Sequence, residues 1–251
     1  MDYNKMHADW AMQHQPVKNR KVLVIGCNSG LDCRYFVEAG AKSVHGVDVD
    51  PGIGRDYQHP VVQYFRVSAE KMDLESDTYD LVYCFATMEH VPDIEAAFNE
   101  MARVTKPGGV IYCIASPLWN SRHGHHYPQY FKDYPWAHLR MTEGEALDYL
   151  RKNAIAIDPA NGGAEGVSSY MFDRNNFNMT PSERYTSVCG EIRNFKILKN
   201  QLDLEPEEML DAETRKELEE KGYSSADLRA VTHYFIARKK QPSWLSKILR
   251  R

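Results

Sequence analysis

Lys21-Val22-Leu23-Val24-Ile25-Gly26-Cys27-Asn28-Ser29-Gly30-Leu31-Asp32 reads as a strand, a tight turn and the opening of a helix. Val22 to Ile25 are four consecutive branched apolar residues, the pattern of a strand buried on both faces in a parallel sheet. At such a turn a missing Cβ lets the backbone take positive φ and approach a ligand, while the free N–H groups of the helix start face it. Gly26 and Gly30 suit that role, and the ligand they suggest is a nucleotide-like cofactor.

Spacing narrows the choice of cofactor. A dinucleotide fingerprint needs glycines at positions 26, 28 and 31, but the chain has Asn28 and Leu31. Gly30 instead completes a G-x-G-x-G turn whose middle glycine is replaced, which argues against an NAD-dependent oxidoreductase. A second apolar strand, Ser43-Val44-His45-Gly46-Val47, ends in Asp48, eighteen residues after Gly30. A carboxylate at that strand end can accept hydrogen bonds from both hydroxyls of an adenosine ribose.

With these segments the chain resembles the class I S-adenosylmethionine-dependent methyltransferases. The resemblance rests on Val22 to Asp32, Val44 to Asp48, Tyr79-Asp80-Leu81-Val82, Glu89-His90-Val91 and Arg103-Val104-Thr105-Lys106-Pro107-Gly108-Gly109, in that order, and covers roughly residues 20–116. It departs at Val24 and Asn28, where the family usually has an acid and a glycine. It implies an α/β fold: a Rossmann-like, seven-stranded, mostly parallel sheet with helices on both faces, the last strand antiparallel, and a large insertion after the fifth strand. It also implies S-adenosyl-L-methionine as cofactor, held by Gly26, Cys27, Asn28, Gly30, Asp48, Val49, Ser68, Ala69, Glu70 and Phe85.

Composition bounds the rest. A chain of 251 residues is ample for one catalytic domain with a real core. Its formal charge of −4 offers no concentrated basic face for nucleic acid. Cys27, Cys33, Cys84, Cys113 and Cys189 form no C-x-x-C pair and read as reduced, space-filling thiols of a cytoplasmic protein. There is no internal repeat. No stretch reaches the roughly 18 to 20 apolar residues of a membrane span, and the amino end lacks a signal peptide's apolar core.

Along the chain, residues 1–20 hold a lid-like helix that Pro16 stops, and residues 21–116 the cofactor-binding half. In that half a helix runs from Leu31 to Ala39, strands cover Val61–Val67, Tyr79–Phe85 and Val110–Ala115, and a helix capped by Asp93 extends to Val104. Ligands of open α/β sheets lie outside the carboxyl ends of the strands, so Phe85 to His90 should face the cofactor's methyl group. Residues 117–194 form the expected acceptor-binding insertion, with helices over 142–152 and Pro181–Arg193 and a flexible loop at Asn161-Gly162-Gly163 between them. Residues 195–240 supply strands over Phe195–Leu202 and Thr232–Arg238 around a charged helix, Glu205–Lys221.

The insertion begins with Ser116 to Tyr127, rich in rings and imidazoles: Trp119, His123, His125 and His126. Methyl transfer needs alignment and, for a hydroxyl acceptor, a proton acceptor of near-neutral pKa, which makes His125, His126 and His90 the catalytic candidates. The spacing of His123, His125 and His126 gives no i,i+4 pair and no accompanying acid or thiol, so no metal is expected. Tyr127, Tyr130, Trp136, Tyr170, Phe172, Arg174 and Asn178 are read as an acceptor lining or as core. The tail, residues 241–251, with Trp244, Leu245, Ile248, Leu249 and neighbouring basic residues, suits weak contact with an anionic membrane or docking on the protein's own surface or a second subunit.

The reading is a cytoplasmic, monomeric or homodimeric methyltransferase of a small polar acceptor, at oxygen. The favoured acceptor is a nucleotide sugar or glycan of surface-polysaccharide biosynthesis, and nucleic acid is not expected as a partner. The alternative is an inactive cofactor-binding protein that regulates or scaffolds an assembly.

Overall fold

The computed structural model describes residues 2–153 and 155–242. Seven strands form one sheet: β1 (Lys21–Ile25), β2 (Ser43–Asp48), β3 (Val62–Arg66), β4 (Tyr79–Phe85), β5 (Thr105–Ala115), β6 (Phe195–Leu204) and β7 (Ala230–Lys239). Their order is β3-β2-β1-β4-β5-β7-β6. The pairings are parallel except β5–β7 and β7–β6, so β7 runs against the other six. The helices are α1 (Tyr3–His14), α2 (Leu31–Glu38), α3 (Ile94–Val104), α4 (Ala137–Arg140), α5 (Glu143–Lys152), α6 (Gly163–Phe172), α7 (Ser182–Gly190), α8 (Ala212–Glu220) and α9 (Ser225–Arg229).

The unbroken apolar run of β1 is explained by its two faces. Val22 and Val24 pack with Ala8 and Ala11 of α1 and Phe36 of α2, whereas Leu23 and Ile25 pack with Phe98 and Met101 of α3. Period-two alternation thus feeds two hydrophobic layers, one on each side of the sheet. α3 presents Ile94, Ala97, Phe98, Met101 and Val104 at helical spacing, and its first turn is fixed because Asp93 accepts a hydrogen bond from the Ala96 N–H at 2.9 Å. The strand order reverses between β1 and β4, and the clefts used by the site open at that point.

Three boundaries differ from expectation. α7 sends Tyr185, Val188 and Cys189 into the same layer as α3, so it belongs to the sheet and the insertion ends before it. The charged helix expected over Glu205–Lys221 is divided: after Pro206 there is one 3₁₀ turn, Glu207–Met209, and then Asp211 caps α8 by accepting from the Thr214 N–H at 2.9 Å. Asn161-Gly162-Gly163, expected as a loop, instead leads into α6, which packs on α5. The insertion has cores of its own: one around Phe131, Leu150, Val167 and Met171, and one joining Trp119, Trp136 and Phe177 to Leu218 and Leu228.

The five cysteines are buried and free. No helix among the described residues is long and apolar enough to cross a membrane. The tail residues from 243 onward, including Trp244, Leu245, Ile248 and Leu249, lie outside the described residues.

Two buried histidines make the fold acid-sensitive. His233 pairs its Nε2 with Asn200 Oδ1 at 2.8 Å, and His7 pairs its Nδ1 with the Tyr112 hydroxyl at 2.9 Å. Burial pushes their pKa values down to about 3 and about 4. Both are neutral when folded but bind a proton below about pH 6.5 when unfolded, so stability falls as the pH drops through that value. At pH 5 each weighs roughly 2 kcal/mol against the folded state relative to pH 7. Urea titrations at the two pH values should show this loss, and His233→Gln, which keeps a donor for Asn200, should reduce it.

Candidate active site

The site begins at the turn after β1. Gly26, at φ +71°, and Cys27 both donate their N–H groups to the Val47 carbonyl at the end of β2, at 2.9 and 3.2 Å. Asn28 follows at φ +46°, a left-handed conformation that asparagine tolerates better than most residues. Its N–H donates to Asp48 Oδ2 at 2.8 Å, and Asp50 N–H donates to Asp48 Oδ1 at 2.9 Å. The carboxylate is thereby aimed at the opening and retains lone pairs for a ligand. A Cβ at Gly26 would lie 2.0 Å from Thr87 Oγ1, so the loop after β4 closes on the turn because position 26 has no side chain.

A cavity of about 590 Å³ opens between these segments. Gly26, Asn28, Asp48 and Val49 form one wall, Ser68, Ala69 and Glu70 another, and Ala86, Thr87 and His90 the end nearest the insertion. Glu70 is partly committed: it accepts from Ser68 Oγ at 2.9 Å and from the Asp93 N–H at 2.7 Å, tying two loops together. A second depression adjoins the first across Gly26, Asn28 and Ala86. It is lined by Cys27 and Phe85 and, beyond what the sequence suggested, by Asn4, Asp32 and Arg55. Asn4 Nδ2 donates to Asp32 Oδ1 at 2.9 Å, which brings α1 to the rim. α1 itself is docked: His7 stacks on Phe85, with ring centroids 4.2 Å apart.

Gly30 lines neither opening. A Cβ there would meet the Tyr64 hydroxyl at 2.3 Å, and a Cβ on Gly46 or Gly54 would come within 2.8 or 2.4 Å of a Cδ atom of the same ring. Three glycines thus make room for one tyrosine, and Gly30 shapes the turn from behind.

The three candidate histidines do not share one environment. His125 is fully buried, packed against Phe131 and His138, and its Nδ1 accepts from the Tyr127 N–H at 3.1 Å. Burial, with the neighbouring imidazoles, pushes its pKa down to about 2. It faces the insertion's core, which corrects its candidacy as a catalytic base. His126 lies on the opposite side of that turn at φ +65°, with its ring 4.9 Å from that of His90. His90 lines the cavity, and its Nδ1–H donates to the Asn176 carbonyl at 2.6 Å, leaving Nε2 free.

Beside it is Glu89, which the sequence places in the stretch from Phe85 to His90 expected to face the cofactor's methyl group. Its carboxyl is buried with neither oxygen hydrogen-bonded among the described residues. Burial raises its pKa to about 8, only partly offset by the nearby N–H groups of Glu89 and Ser116, which fall outside hydrogen-bonding geometry. Its burial is the work of residues remote in sequence, and no local pattern could have revealed it. Trp136, Tyr130 and Asn178 are structural. Trp136 Nε1 donates to the Leu228 carbonyl, the Tyr130 hydroxyl accepts from Asp158 N–H, and Asn178 Nδ2 donates to the Met88 and Val91 carbonyls.

Residues 23–113, which hold the glycine turn, Asp48 and the loop after β4, match the family model described as "Methyltransferase domain". This segment is similar to a methyltransferase domain, the kind of family that the sequence resembles. Among curated relatives, the ubiquinone biosynthesis O-methyltransferase of Pseudomonas aeruginosa is 31% identical over 118 residues, covering 44% of this chain and 50% of that protein. The enzyme of the same name from Idiomarina loihiensis is 29% identical over 167 residues, 57% of this chain and 68% of the relative. The chain thus spans about half the length of most curated relatives it matches. Among solved structures, an S-adenosylmethionine-dependent methyltransferase from Mesorhizobium loti aligns with a TM-score of 0.53 at 17% identity, covering 92% of this chain and 98% of the other. The [4+2]-cyclase SpnF aligns at 0.55 and 13% identity, covering 95% and 81%. A methyltransferase and a cyclase on one fold show that these likenesses establish the fold alone.

The residues present fit the methyltransferase cofactor, S-adenosylmethionine: a cradle that a Cβ at Gly26 would fill and a strand-end carboxylate held open for a diol. Asp48→Ala should weaken S-adenosylhomocysteine binding at least about tenfold. It removes charge-assisted hydrogen bonds of about 1.5 to 3 kcal/mol each and releases the Asn28 N–H. Isothermal calorimetry checks this, and unchanged affinity would overturn the assignment.

Proposed function

We propose that this chain is an enzyme that transfers the methyl group of S-adenosylmethionine to a hydroxyl oxygen of a small, ring-bearing acceptor. The observation that carries the proposal is a single cavity with an adenosine-type carboxylate, Asp48, at one end and His90, backed by the insertion's aromatic residues, at the other. The bound cofactor would supply an electrophilic methyl on a sulfonium. Asp48 would accept from the ribose hydroxyls, and Val49, Ser68, Ala69 and Glu70 would flank the base. In the adjoining depression Asp32 and Arg55 offer opposite charges to the amino and carboxylate groups of the methionine portion.

Phe177 packs on His90 at 5.4 Å, on Tyr170 at 5.4 Å and on Trp119 at 4.8 Å, so a cluster of rings backs the one ring that lines the acceptor end. The names of the curated relatives favour oxygen as the methylated atom. They give no support to a surface-polysaccharide sugar, so the proposal is held to a hydroxylated ring. A hydroxyl must lose its proton as the new bond forms, and His90 is the titratable side chain placed where that proton leaves.

Assays with labelled S-adenosylmethionine and a panel of phenols, catechols and nucleotide sugars test this. Methyl transfer to an oxygen of one class is the expected result. Tight cofactor binding with no transfer to any of them would favour the inactive regulatory reading. His90→Ala should lower turnover by roughly a hundredfold or more. His125→Ala should lower the melting temperature and leave the turnover of the folded fraction within a few-fold of wild type.

A further inference from the structure

Behind the acceptor end of the cavity, Glu89, His90 and His126 bring one donor atom each to within 4.8 Å of one another. Glu89 is 1% exposed, and both its oxygens lack partners, as does the buried Nε2 of His126. His90 Nδ1 carries the proton donated to Asn176, so its Nε2 presents a lone pair. With Glu89 ionised and the His126 proton on its other ring nitrogen, three side chains present acceptors to one another, none of them hydrogen-bonded among the described residues. Leaving a buried polar group in that state is costly, and a cation is the chemical species that relieves it.

The supports of the cluster are as ordered as those of a built site. Asn178 donates its N–H to the Glu89 carbonyl at 3.0 Å and its side-chain amide to the Met88 and Val91 carbonyls at 2.7 and 3.0 Å, fixing the turn that carries Glu89 and His90. The Asn176 carbonyl orients the His90 ring, the outer-shell hydrogen bond that metal-ligating histidines ordinarily make. His126 reaches the cluster from the insertion through a left-handed backbone at φ +65°. It follows a turn in which a Cβ on Gly124 would come within 1.9 Å of the Trp119 carbonyl oxygen. Backbone strain of this kind in a non-glycine residue concentrates at functional sites.

We propose that Glu89, His90 and His126 bind a divalent transition-metal ion at the acceptor end of the cavity. One carboxylate and two imidazoles suit Zn²⁺, Fe²⁺ or Mn²⁺ and leave coordination positions open. Mg²⁺ and Ca²⁺ prefer all-oxygen sets. Three ligands at about 2.1 Å from one ion lie roughly 3 to 3.5 Å apart, so side-chain closure of about 1 to 2 Å completes the site. The inference rests on the O-methyltransferase reading for its purpose: an ion held through His90 Nε2 takes over the part given to that atom above, lowering the pKa of an acceptor hydroxyl and holding its oxygen while the proton passes to solvent. This revises the expectation of no metal, which weighed His123, His125 and His126 as neighbours in sequence. The cluster takes one histidine from that loop and two residues from the loop after β4.

Tag-free full-length protein, stripped with a chelator and dialysed, is titrated with Co²⁺ by calorimetry and visible spectroscopy, and Zn²⁺ is used as competitor. The expected result is one Co²⁺ per chain, with ligand-field bands that Zn²⁺ displaces. Glu89→Gln and His126→Ala should each weaken binding by at least about a hundredfold, the upper end of what losing an outer-shell partner costs. His123→Ala, on the same loop but outside the cluster, should bind as wild type. S-adenosylhomocysteine affinity, measured on each variant, shows that it is folded. No Co²⁺ or Zn²⁺ binding by wild type, or undiminished binding by Glu89→Gln, would overturn the site and assign a proton as the cluster's occupant. Failure of the functional reading is distinguishable: metal bound with no acceptor methylated leaves the site standing. Full-rate O-methylation by metal-free protein removes the ion's catalytic purpose and keeps the enzyme.

Discussion

The approach of Thr87 to Gly26 is the constraint on which the site depends. No side chain can stand at position 26, because a Cβ would overlap Thr87 Oγ1 at 2.0 Å, and two parallel-strand turns close against each other at the place where the strand order reverses. With that gap closed, the Gly26 and Cys27 N–H groups reach the Val47 carbonyl, Asn28 reaches Asp48, and the loop after β4 is held where His90 lines the cavity. The buried side chains of β1 hold the turn in place from below, with one hydrophobic layer on each face.

The insertion depends on a different kind of order. Its two small cores, one around Phe131 and Met171 and one around Trp136 and Phe177, fix its backbone independently of the sheet. Asn178 then ties it to the sheet by donating to the carbonyls of the turn that carries Glu89 and His90. The same segment that walls the acceptor end therefore also sets the geometry of the buried carboxylate. A polar side chain expected to line a pocket performs that work from outside it.

What the sequence made legible was what local periodicity and strand ends encode. β4 could be read to the residue because its nearly unbroken apolar run, six of whose seven positions are buried, leaves no other pattern, and Asp48 could be read because ligands gather at the carboxyl ends of parallel strands. What failed was decided by partners remote in sequence. Gly30 looked like a ligand contact, but its neighbour is Tyr64, thirty-four positions away. His125 and His126 are adjacent and chemically identical. One faces the insertion's core and the other faces His90, because the backbone turns left-handed at His126. No composition or spacing rule distinguishes them. Trp136 and Tyr130 were ambiguous for the same reason, since an aromatic residue in a loop reads alike whether it meets ligand or core.

The two departures from the family pattern, Val24 and Asn28, have structural answers that bear on whether the site is active. Asn28 takes the positive φ that the usual glycine would supply, and it still donates its N–H to Asp48, so replacing the glycine leaves the turn intact. Val24 points into the layer formed with α1 and α2, where a carboxylate would be stranded among Ala8, Ala11 and Phe36. An acid is supplied instead at the start of α2, where Asp32 lines the second depression and is held by Asn4 of α1. A carboxylate at the helix start puts a negative charge on the rim of that depression, and its hydrogen bond from Asn4 joins the docked α1 to it. The case for an inert cofactor-binding protein rested on those two substitutions and is correspondingly weakened.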